Sequence, residues 1–524
     1  MQNSSEESRG MKLLKKGQKG LVSVIFSRTL LIILSLVLQV FILFMFFHWF
    51  QNLLPHFWGG SLLFSTAMVI YLINTEINPT AKLTWMVIIM LLPVFGCLLF
   101  FYTQSEIGHR AVRGRVEQLI TQTGGILPQN ENIREELKAE APECAQLSTY
   151  INRNGCQPVY KNTEVKFFSL GEDMWQELLT QLEKAESFIF LEYFIVDEGL
   201  MWGTVLEILA RKVKEGVDVR LLYDGTCEFT TLPHDYPERL KKLGIKCRMF
   251  APVMPMISTH YNYRDHRKIA VIDGKVAFNG GVNLADEYIN RINKYGHWKD
   301  TAVMLKGEAV SSFTLMFLQM WNITEKNPGF EKYLNLSESV NSHGFVQPFG
   351  DCPLDGDKVG ERVYMDILNT ASNYVYIMTP YLILDGELET ALKFAAERGV
   401  KVRLILPGKS DKAAAYALAK THYRSLMKSG IEIYEYTPGF VHAKMFLCDD
   451  IEAVVGTINL DYRSLYHHFE CATWMYDTDC IEDIEKDFEL TLEKCRRVTP
   501  DTIWQGSKVL KPVGYLLKAV APLM

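Results

Sequence analysis

Two segments of the chain carry histidine, lysine, aspartate and asparagine at the same spacing. The first is HRKIAVIDGKVAFNGGVN, the second is HAKMFLCDDIEAVVGTIN, and both fit the pattern H-x-K-x4-D-x6-G-[GT]-x-N. The shared positions are His266, Lys268, Asp273, Gly280, Gly281 and Asn283 in the first segment, and His442, Lys444, Asp449, Gly456, Thr457 and Asn459 in the second. Two matches of this length do not arise by chance, so we interpret them as one functional unit present twice.

These residue types can act together on a phosphodiester. Alternate side chains of a strand share a face, so each histidine projects with the lysine two positions later. One imidazole can attack phosphorus to form a phosphohistidine, while the other protonates the leaving alcohol and then deprotonates the acceptor. The lysines and the amides of Asn283 and Asn459 can bind the phosphate oxygens of the substrate. This chemistry requires no metal ion and no cofactor, and we predict none.

The aspartate of each motif belongs to the candidate catalytic set, but a structural role is the favoured interpretation. Asp273 precedes Gly274, and IAVIDGKVAF is typical of a β-hairpin with an Asp-Gly turn. Asp449 occupies the same place in the second copy.

The elements around the motifs also occur twice. A helical pattern, a strand ending near Tyr193 and Phe194, a second helix and the strand VDVRLLYDG precede the first motif. RVYMDILNTA, a strand ending near Tyr381, a helix and VKVRLILPG precede the second. Strands that alternate with helices indicate an α/β fold, here two pseudo-symmetric α/β/α repeats around a shared active site. The aromatic residues at the strand ends could line the pocket or belong to the core.

The N-terminal region predicts a membrane anchor. No charged residue occurs from Thr29 to Thr75 or from Leu83 to Ser105, and about 20 apolar residues cross a bilayer. We predict two to three spans. Basic residues flank both sides, which favours an even number of crossings and leaves the topology open. We expect a multi-pass protein whose catalytic region faces the cytoplasm, where the ten scattered cysteines stay unpaired.

The paired motifs resemble the HKD motifs of the phospholipase D superfamily, and the longer context resembles bacterial cardiolipin synthases. The resemblance is carried by NPTAKLTWMVIIMLLPVFG, LEYFI, HRK before GGVN, TPY and GTINLDYRSL. It implies a phosphatidyltransferase in the bacterial cell membrane that joins two phosphatidylglycerol molecules and releases glycerol. It also implies that His266 is the nucleophile, that His442 is the acid and base, and that Asp300 and Glu470 orient the histidines; the two histidine roles could be reversed.

Three positions depart from the family pattern. Asp265 stands where asparagine is usual, and His467 and His468 replace a common Leu-Asn pair before Phe469. These changes could alter the acceptor preference or the pH dependence.

The length of 524 residues and these features suggest the following organisation. The segments are a basic N-terminus (1–28), a transmembrane anchor (29–105), a juxtamembrane helix and linker (106–158), a first repeat (159–321), a connection (322–358), a second repeat (359–500) and an apolar C-terminal segment (501–524). The C-terminal segment could lie on the membrane or pack on the catalytic core. The apolar loop FAPVMPMI (250–257), shortly before His266, could dip into the membrane interface or cover the core.

Alternative functions share the same chemistry or the same fold. A phospholipase D that transfers to water and a phosphatidylserine synthase would use the same residues, and a lipid-binding scaffold would keep only the fold. The formal net charge of -6 and the apolar N-terminus argue against a nuclease or another nucleic-acid partner. The sequence leaves the lipid preference and the oligomeric state open.

Overall fold

A computed structural model describes residues 58–104, 110–155, 157–252, 263–334, 336–505 and 509–523, together with Leu38, Phe41 and Met45. This description leaves out the basic N-terminus and most of the first predicted span. It also leaves out residues 253–262, which include most of the apolar loop FAPVMPMI. We number the elements from the first described helix.

The strands form two large sheets and three short linking strands. The first sheet contains β1 (Thr163–Phe168), β2 (Phe188–Tyr193), β3 (Asp218–Asp224), β4 (Lys246–Phe250), β6 (Lys268–Ile272), β7 (Val276–Gly280) and β9 (Ala302–Gly307). The second contains β10 (Phe345–Asp351), β11 (Tyr374–Met378), β12 (Lys401–Pro407), β13 (Glu432–Tyr436), β15 (Met445–Cys448), β16 (Glu452–Gly456), β17 (His468–Tyr476) and β18 (Cys495–Arg497). The linking strands are β5 (Arg264–Asp265), β8 (His297–Lys299) and β14 (Gly439–Val441).

The strand orders show the predicted duplication. The first sheet has the order β1-β9-β7-β6-β2-β3-β4, and the second has β10-β17-β16-β15-β11-β12-β13-β18. β2, β3 and β4 run parallel, as do β11, β12 and β13, while β6 and β15 pair antiparallel with β2 and β11. The edge strand β10 lies inside the segment 322–358, so part of that connection belongs to the second sheet.

Helices cover both sheets. The helices are α1 (Trp58–Asn74), α2 (Pro79–Leu91), α3 (Pro93–Gln104), α4 (Arg110–Thr123), α5 (Glu131–Glu140), α6 (Pro142–Gly155), α7 (Gly171–Glu183), α8 (Leu200–Lys214), α9 (Cys227–Thr230), α10 (Tyr236–Lys242), α11 (Val310–Trp321), α12 (Val359–Thr370), α13 (Gly386–Glu397), α14 (Ala413–Lys428), α15 (Tyr462–Tyr466), α16 (Cys480–Leu492) and α17 (Leu510–Lys518). α7 and α8 cover the outer face of the first sheet, and α12 and α13 cover that of the second. α11 and α16 lie in the central core, where the two repeats meet. The α/β architecture with two repeats is therefore confirmed.

Asp273 and Asp449 fasten the turn of each motif to the start of a neighbouring strand. Asp273 accepts hydrogen bonds from the backbone amides of Glu186, Ser187 and Phe188 at 2.7–2.8 Å. Asp449 does the same for Ser372, Asn373 and Tyr374 at 2.7–2.9 Å. Both aspartates have positive φ, 54° and 50°, a conformation that aspartate tolerates better than most residues. The structure thus places these two members of the candidate catalytic set in turns.

We expect Asp273→Ala to lower the free energy of unfolding by about 2 kcal/mol, because three backbone amides lose their acceptor. Asp449→Ala should have an effect of similar size. Denaturant unfolding in detergent measures both, and the activity of the folded fraction should change much less than the stability. An Asp273→Ala protein of wild-type stability that has lost turnover would instead indicate direct catalysis.

The second predicted span is divided between two helices. Asn78 caps α2, its side-chain oxygen accepting a hydrogen bond from the amide of Thr80 at 2.9 Å. α2 ends at Leu91 because Pro93 cannot continue the same hydrogen-bonded ladder, and α3 begins there. The apolar run that begins at Leu83 and has the length of one span is therefore not one continuous helix. Among the described residues, no helix combines the length and the apolar character needed to cross a bilayer.

The C-terminal helix α17 packs on the catalytic core. Gly514 lies against α14, where a Cβ atom would come within 2.5 Å of the carbonyl oxygen of Ala417. The outer face of α17 remains exposed and apolar, with Leu516 and Val513 in contact with solvent. Thr84 of α2 donates a hydrogen bond to the carbonyl of Ala519 at 2.9 Å, so the N-terminal helices and the C-terminal segment lie side by side.

Candidate active site

His266 is positioned by the opposite repeat. It follows β5, which pairs in parallel with the start of β17, and its backbone amide donates to the carbonyl of Phe469 at 2.9 Å. Its Nδ1 lies 2.9 Å and 3.0 Å from the two carboxylate oxygens of Glu470. Because a carboxylate only accepts, we assign the proton to Nδ1, which leaves the lone pair on Nε2.

His442 is held in the mirrored way. It follows β14, which pairs in parallel with β8, and its backbone amide donates to the carbonyl of Lys299 at 2.7 Å. Its Nδ1 lies 2.7 Å from Oδ2 of Asp300. Each repeat therefore supplies one histidine and the carboxylate that orients the histidine of the other repeat. The motif histidines His266 and His442 are thus each paired with a carboxylate of the opposite repeat.

The two motifs make room for carboxylates of different lengths. A Cβ atom on Gly281 would come within 2.0 Å of an Asp300 carboxylate oxygen, so only glycine allows Asp300 to lie there. The second motif has Thr457 at the same position, and its hydroxyl donates a hydrogen bond to Oε2 of Glu470. The Gly-Gly and Gly-Thr pairs of the sequence thus correspond to the shorter aspartate and the longer glutamate.

Both lysines of the motifs are buried beside their histidines. The ammonium of Lys268 donates to the carbonyl of His266 at 2.6 Å, and Lys444 donates to the carbonyl of His442. Each ammonium has three N–H donors, so these bonds leave donors for a ligand. Burial lowers the pKa of Lys268 to about 8 and that of Lys444 to about 7. Lys268 also influences the protonation of His442 and Lys444, which shows that the two motifs share one electrostatic environment.

Burial favours the neutral form of both imidazoles. It lowers the pKa of His266 well below the usual value, and Glu470 opposes this shift only in part. Burial and the neighbouring Lys444 lower the pKa of His442 to about 4. An anionic phosphodiester would raise both pKa values, because it would offset the charge of the two lysines. A bound anion would therefore favour protonation of a histidine in this site.

The two motif asparagines differ in their surroundings. Asn283 accepts a hydrogen bond from the amide of Ile195 at 2.9 Å, and its amide group donates to the hydroxyl of Tyr288 at 2.8 Å. Asn459 is buried, and its side-chain oxygen has no hydrogen-bond partner. Of the two predicted substrate-binding residues, Asn459 is thus the one whose side-chain oxygen is unbonded. The side chain of Asn283 instead connects the backbone at Ile195 to Tyr288.

Aromatic side chains surround the histidines. The ring of Phe194 lies 4.8 Å from that of His266, and the rings of Tyr288 and Trp298 lie 5.4 Å and 5.2 Å from that of His442. Phe194 thus lines the site, whereas Tyr193 is buried in the first repeat's core. Tyr381 packs against Phe440, which itself lies beside His442.

A third histidine, His468, also belongs to this site. Its ring lies 5.3 Å from that of His266, and its Nδ1 lies 3.6 Å from Oε1 of Glu470. The sequence marks His468 only as a departure from the family pattern. Its proximity to His266 depends on the pairing of β5 with β17, which joins positions 204 residues apart.

Asp265, which also departs from the family pattern, is buried beside Glu192 and directly precedes His266. Burial raises the pKa of Asp265 to about 7, and the pKa of Glu192 is raised well above its usual value. The guanidinium of Arg267 offsets part of this negative charge and donates to the carbonyl of Glu470 at 3.1 Å. These groups support the backbone on either side of His266.

Comparisons with known proteins match the chain to one family. A family model described as "Cardiolipin synthase, PLD-like domain" matches residues 178–321 and 364–492, and a model of the phospholipase D-nuclease N-terminal region matches residues 63–103. Cardiolipin synthase 2 of Bacillus anthracis is 33% identical over 472 residues, covering 88% of this chain and 90% of that protein. An uncharacterized protein of Streptococcus mutans is 54% identical over 458 residues, covering 87% and 99%.

The fold has a counterpart among solved structures. The crystal structure of phosphatidylserine synthase from Haemophilus influenzae aligns with a TM-score of 0.56 and 16% identity, covering 72% of this chain and 97% of that one. This similarity establishes the fold, and the sequence matches establish the family. The chain therefore belongs to the bacterial cardiolipin synthase family of the phospholipase D superfamily.

Proposed function

We propose that this enzyme is a cardiolipin synthase that transfers the phosphatidyl group of one phosphatidylglycerol to another and releases glycerol. The crossed pairing of His266 with Glu470 and of His442 with Asp300 carries the proposal. It gives each of two buried imidazoles a carboxylate at Nδ1, which leaves both Nε2 atoms for the two steps of a phosphoryl exchange. The named relatives support the choice of lipid substrate.

In the first step, Nε2 of His266 attacks the phosphorus atom of the donor lipid. A phosphorus–nitrogen bond forms, the bond from phosphorus to the glycerol oxygen breaks, and His442 gives a proton to that oxygen. Lys268 and Lys444 stabilise the charge on the non-bridging oxygens. Glu470 stabilises the positive charge that develops on the attacking imidazole, so the carboxylate contributes most in the transition state.

In the second step, the roles at phosphorus are reversed. Neutral His442 takes the proton from a hydroxyl of the second phosphatidylglycerol, whose oxygen then attacks phosphorus. The phosphorus–nitrogen bond breaks, cardiolipin leaves, and His266 returns to its neutral state. The same histidine protonates one alcohol and deprotonates the next, so the enzyme ends the cycle in its starting protonation state.

We further propose that the enzyme acts at the membrane through a continuous apolar surface. The exposed large hydrophobic residues of α1 to α3 and α17 include Ile70, Ile73, Leu83, Val87, Met90, Leu91, Leu98, Phe101, Val513 and Leu516. Contiguous apolar surface of this kind is typical of membrane or protein contact sites. The hydrogen bond between Thr84 and Ala519 joins the two regions, so both would meet the lipid phase together.

The proposed reaction is tested with purified, detergent-solubilised enzyme and phosphatidylglycerol labelled in its headgroup glycerol and in its acyl chains. Cardiolipin and free glycerol should appear in equal amounts. Phosphatidate as the only lipid product would show a hydrolase. Serine-dependent formation of phosphatidylserine would show a different acceptor, and no turnover would favour a lipid-binding role.

We expect transfer activity to persist in excess EDTA. The histidines provide the nucleophile, acid and base, and the lysines provide the positive charge, so no step depends on a metal ion. The initial rate in EDTA should equal or exceed the rate without it. Loss of activity that added Mg²⁺ or Mn²⁺ restores would contradict the mechanism.

We also expect kcat/KM to fall as the pH rises through about 7 to 8. The pKa values of Lys444 and Lys268, about 7 and about 8, mean that the free enzyme loses these ammonium charges in that range. A bound anion raises both pKa values, so kcat should decline at higher pH than kcat/KM. Lys444→Arg keeps its charge and should move the decline in kcat/KM to higher pH, although its absolute rate is lower. A kcat/KM that is constant from pH 6 to 9.5 would contradict this role of the lysines.

A further inference from the structure

His468 has the geometry of an unused metal ligand. Its side chain is 9% exposed, and its Nδ1 has no hydrogen-bond partner although it lies 3.6 Å from Oε1 of Glu470. Nδ1 of His266 lies 2.9 Å from the same carboxylate oxygen. The ligand atoms of His266, His468 and Glu470 all lie within 4.8 Å of one another. Burying a nitrogen without a hydrogen bond costs free energy. A cation between this nitrogen and the carboxylate would give both groups a partner.

We propose that His266, His468 and Glu470 bind a divalent transition-metal ion of the Zn²⁺ type, and that the bound ion reversibly inhibits the enzyme. Two imidazoles and one carboxylate form a ligand set that suits Zn²⁺ and related ions. Bonds of about 2.0–2.2 Å place tetrahedral ligand atoms about 3.4 Å apart, so ligand atoms that now lie within 4.8 Å of one another need approach by at most about 1.4 Å. Solvent or a phosphate oxygen can occupy the fourth position.

The bound ion would inhibit by changing the tautomer of His266. A metal ion on Nδ1 uses the lone pair of that nitrogen, so the Nδ1 proton is released to solvent and the ring takes up a proton from solvent at Nε2. The neutral ring then carries its proton on Nε2, the nitrogen that must attack phosphorus. The ion also neutralises the Glu470 carboxylate. This inhibition rests on the proposed role of His266, whereas metal binding itself does not.

Within the part of the chain that the structure describes, this cluster occurs in one half of the pseudo-symmetric pair. Position 468 lies two residues before Glu470, and the corresponding residue before Asp300 is Trp298. The indole nitrogen of Trp298 is 3.5 Å from Oδ2 of Asp300 and is a donor without a lone pair for a metal. The His442–Asp300 pair therefore lacks a third ligand. We expect one equivalent of metal per chain.

Zn²⁺ titration of the purified enzyme tests the proposal, with Co²⁺ as a spectroscopic probe. The wild-type enzyme should bind one equivalent of Zn²⁺ in calorimetry. Its activity should fall at least about tenfold when Zn²⁺ saturates the site, and EDTA should restore it. His468→Asn should bind Zn²⁺ at least about tenfold more weakly. Its inhibition is measured as its rate with Zn²⁺ relative to the rate of the same variant without metal. His467→Leu, which changes the adjacent histidine, should keep wild-type metal affinity and inhibition.

Several outcomes would overturn the proposal. These are no Zn²⁺ binding by the wild type, equal affinity of the wild type and His468→Asn, or binding without inhibition. A Co²⁺ spectrum with a thiolate charge-transfer band would assign the metal to cysteine and would overturn it as well. If the enzyme shows no transferase activity at all, the proposed function fails, but calorimetry and the Co²⁺ spectrum still decide whether the His–His–Glu site exists.

Discussion

His266→Ala should lower kcat for cardiolipin formation by about 10⁵-fold, and His442→Ala should lower it by about 10⁴-fold. Without His266 no covalent intermediate can form. Without His442 the glycerol leaves without a proton and the acceptor hydroxyl is not deprotonated, so both steps become slow. Steady-state assays with phosphatidylglycerol in mixed micelles measure the two effects.

His343→Ala provides a matched control for these variants. His343 lies on the surface, with 64% of its side chain exposed, and it bonds to the backbone of Asp477. Its replacement should leave kcat within twofold of the wild type. A His266→Ala or His442→Ala protein that retains more than about one-hundredth of the wild-type rate would show that the crossed histidine pair is not the reacting pair.

Glu470→Gln should lower kcat by about 10³- to 10⁴-fold, and Asp300→Asn by about 10²- to 10³-fold. An amide can present its N–H to Nδ1, which moves the imidazole proton to Nε2. In Glu470→Gln this change removes the nucleophilic lone pair of His266. In Asp300→Asn it weakens the stabilisation of protonated His442. The loss should appear in kcat and not mainly in KM, because both carboxylates lie behind the histidines.

Glu452→Gln is the matched control for these two substitutions. Glu452 is also a buried carboxylate, but it accepts a hydrogen bond from the indole of Trp474 at 2.6 Å inside the second repeat. The amide can accept the same bond, so activity should remain near the wild-type level. If Glu470→Gln and Asp300→Asn both keep activity within tenfold, the carboxylates do not set the tautomers.

The repeated motif made the two-repeat architecture and the histidine–lysine set predictable from sequence. The hydrophobic strands and the amphipathic helices have patterns that are visible over a few residues, and the structure confirms the two α/β repeats. The resemblance to a known family identified Asp300 and Glu470, because nothing local distinguishes them from surface acids. Their pairing with the histidine of the opposite repeat is a property of the three-dimensional arrangement.

The elements that create this arrangement leave little trace in the sequence. β5, β8 and β14 contain two or three residues each, which is too short for any periodic pattern. β10 contains Pro348 and lies in the predicted connection, yet it serves as an edge strand of the second sheet. β17 pairs with it on one side, and on the other side Val346 forms an isolated bridge to Tyr160. His468 approaches His266 only because β5 pairs with β17.

In the predicted anchor region, a clear sequence pattern did not predict where the helices end. The charge-free run from Leu83 to Ser105 has the composition of one span, but a single proline divides it into α2 and α3. Composition records how apolar a segment is, whereas the position of Pro93 decides where the helix ends. The apolar residues of this run still form exposed surface, since Leu83, Val87 and Met90 are in contact with solvent.

The most direct test of the account is to locate the covalent intermediate. His442→Ala enzyme is mixed with a phosphatidyl donor that carries an activated leaving group, because such a donor needs no proton from His442. The account predicts that an acid-labile phosphatidyl group accumulates on His266, since its breakdown lacks a base, and that His266→Ala forms no adduct. Peptide mapping by mass spectrometry gives the position. An adduct on His442 in the His266→Ala protein would reverse the two roles, and no adduct in either variant would contradict covalent catalysis.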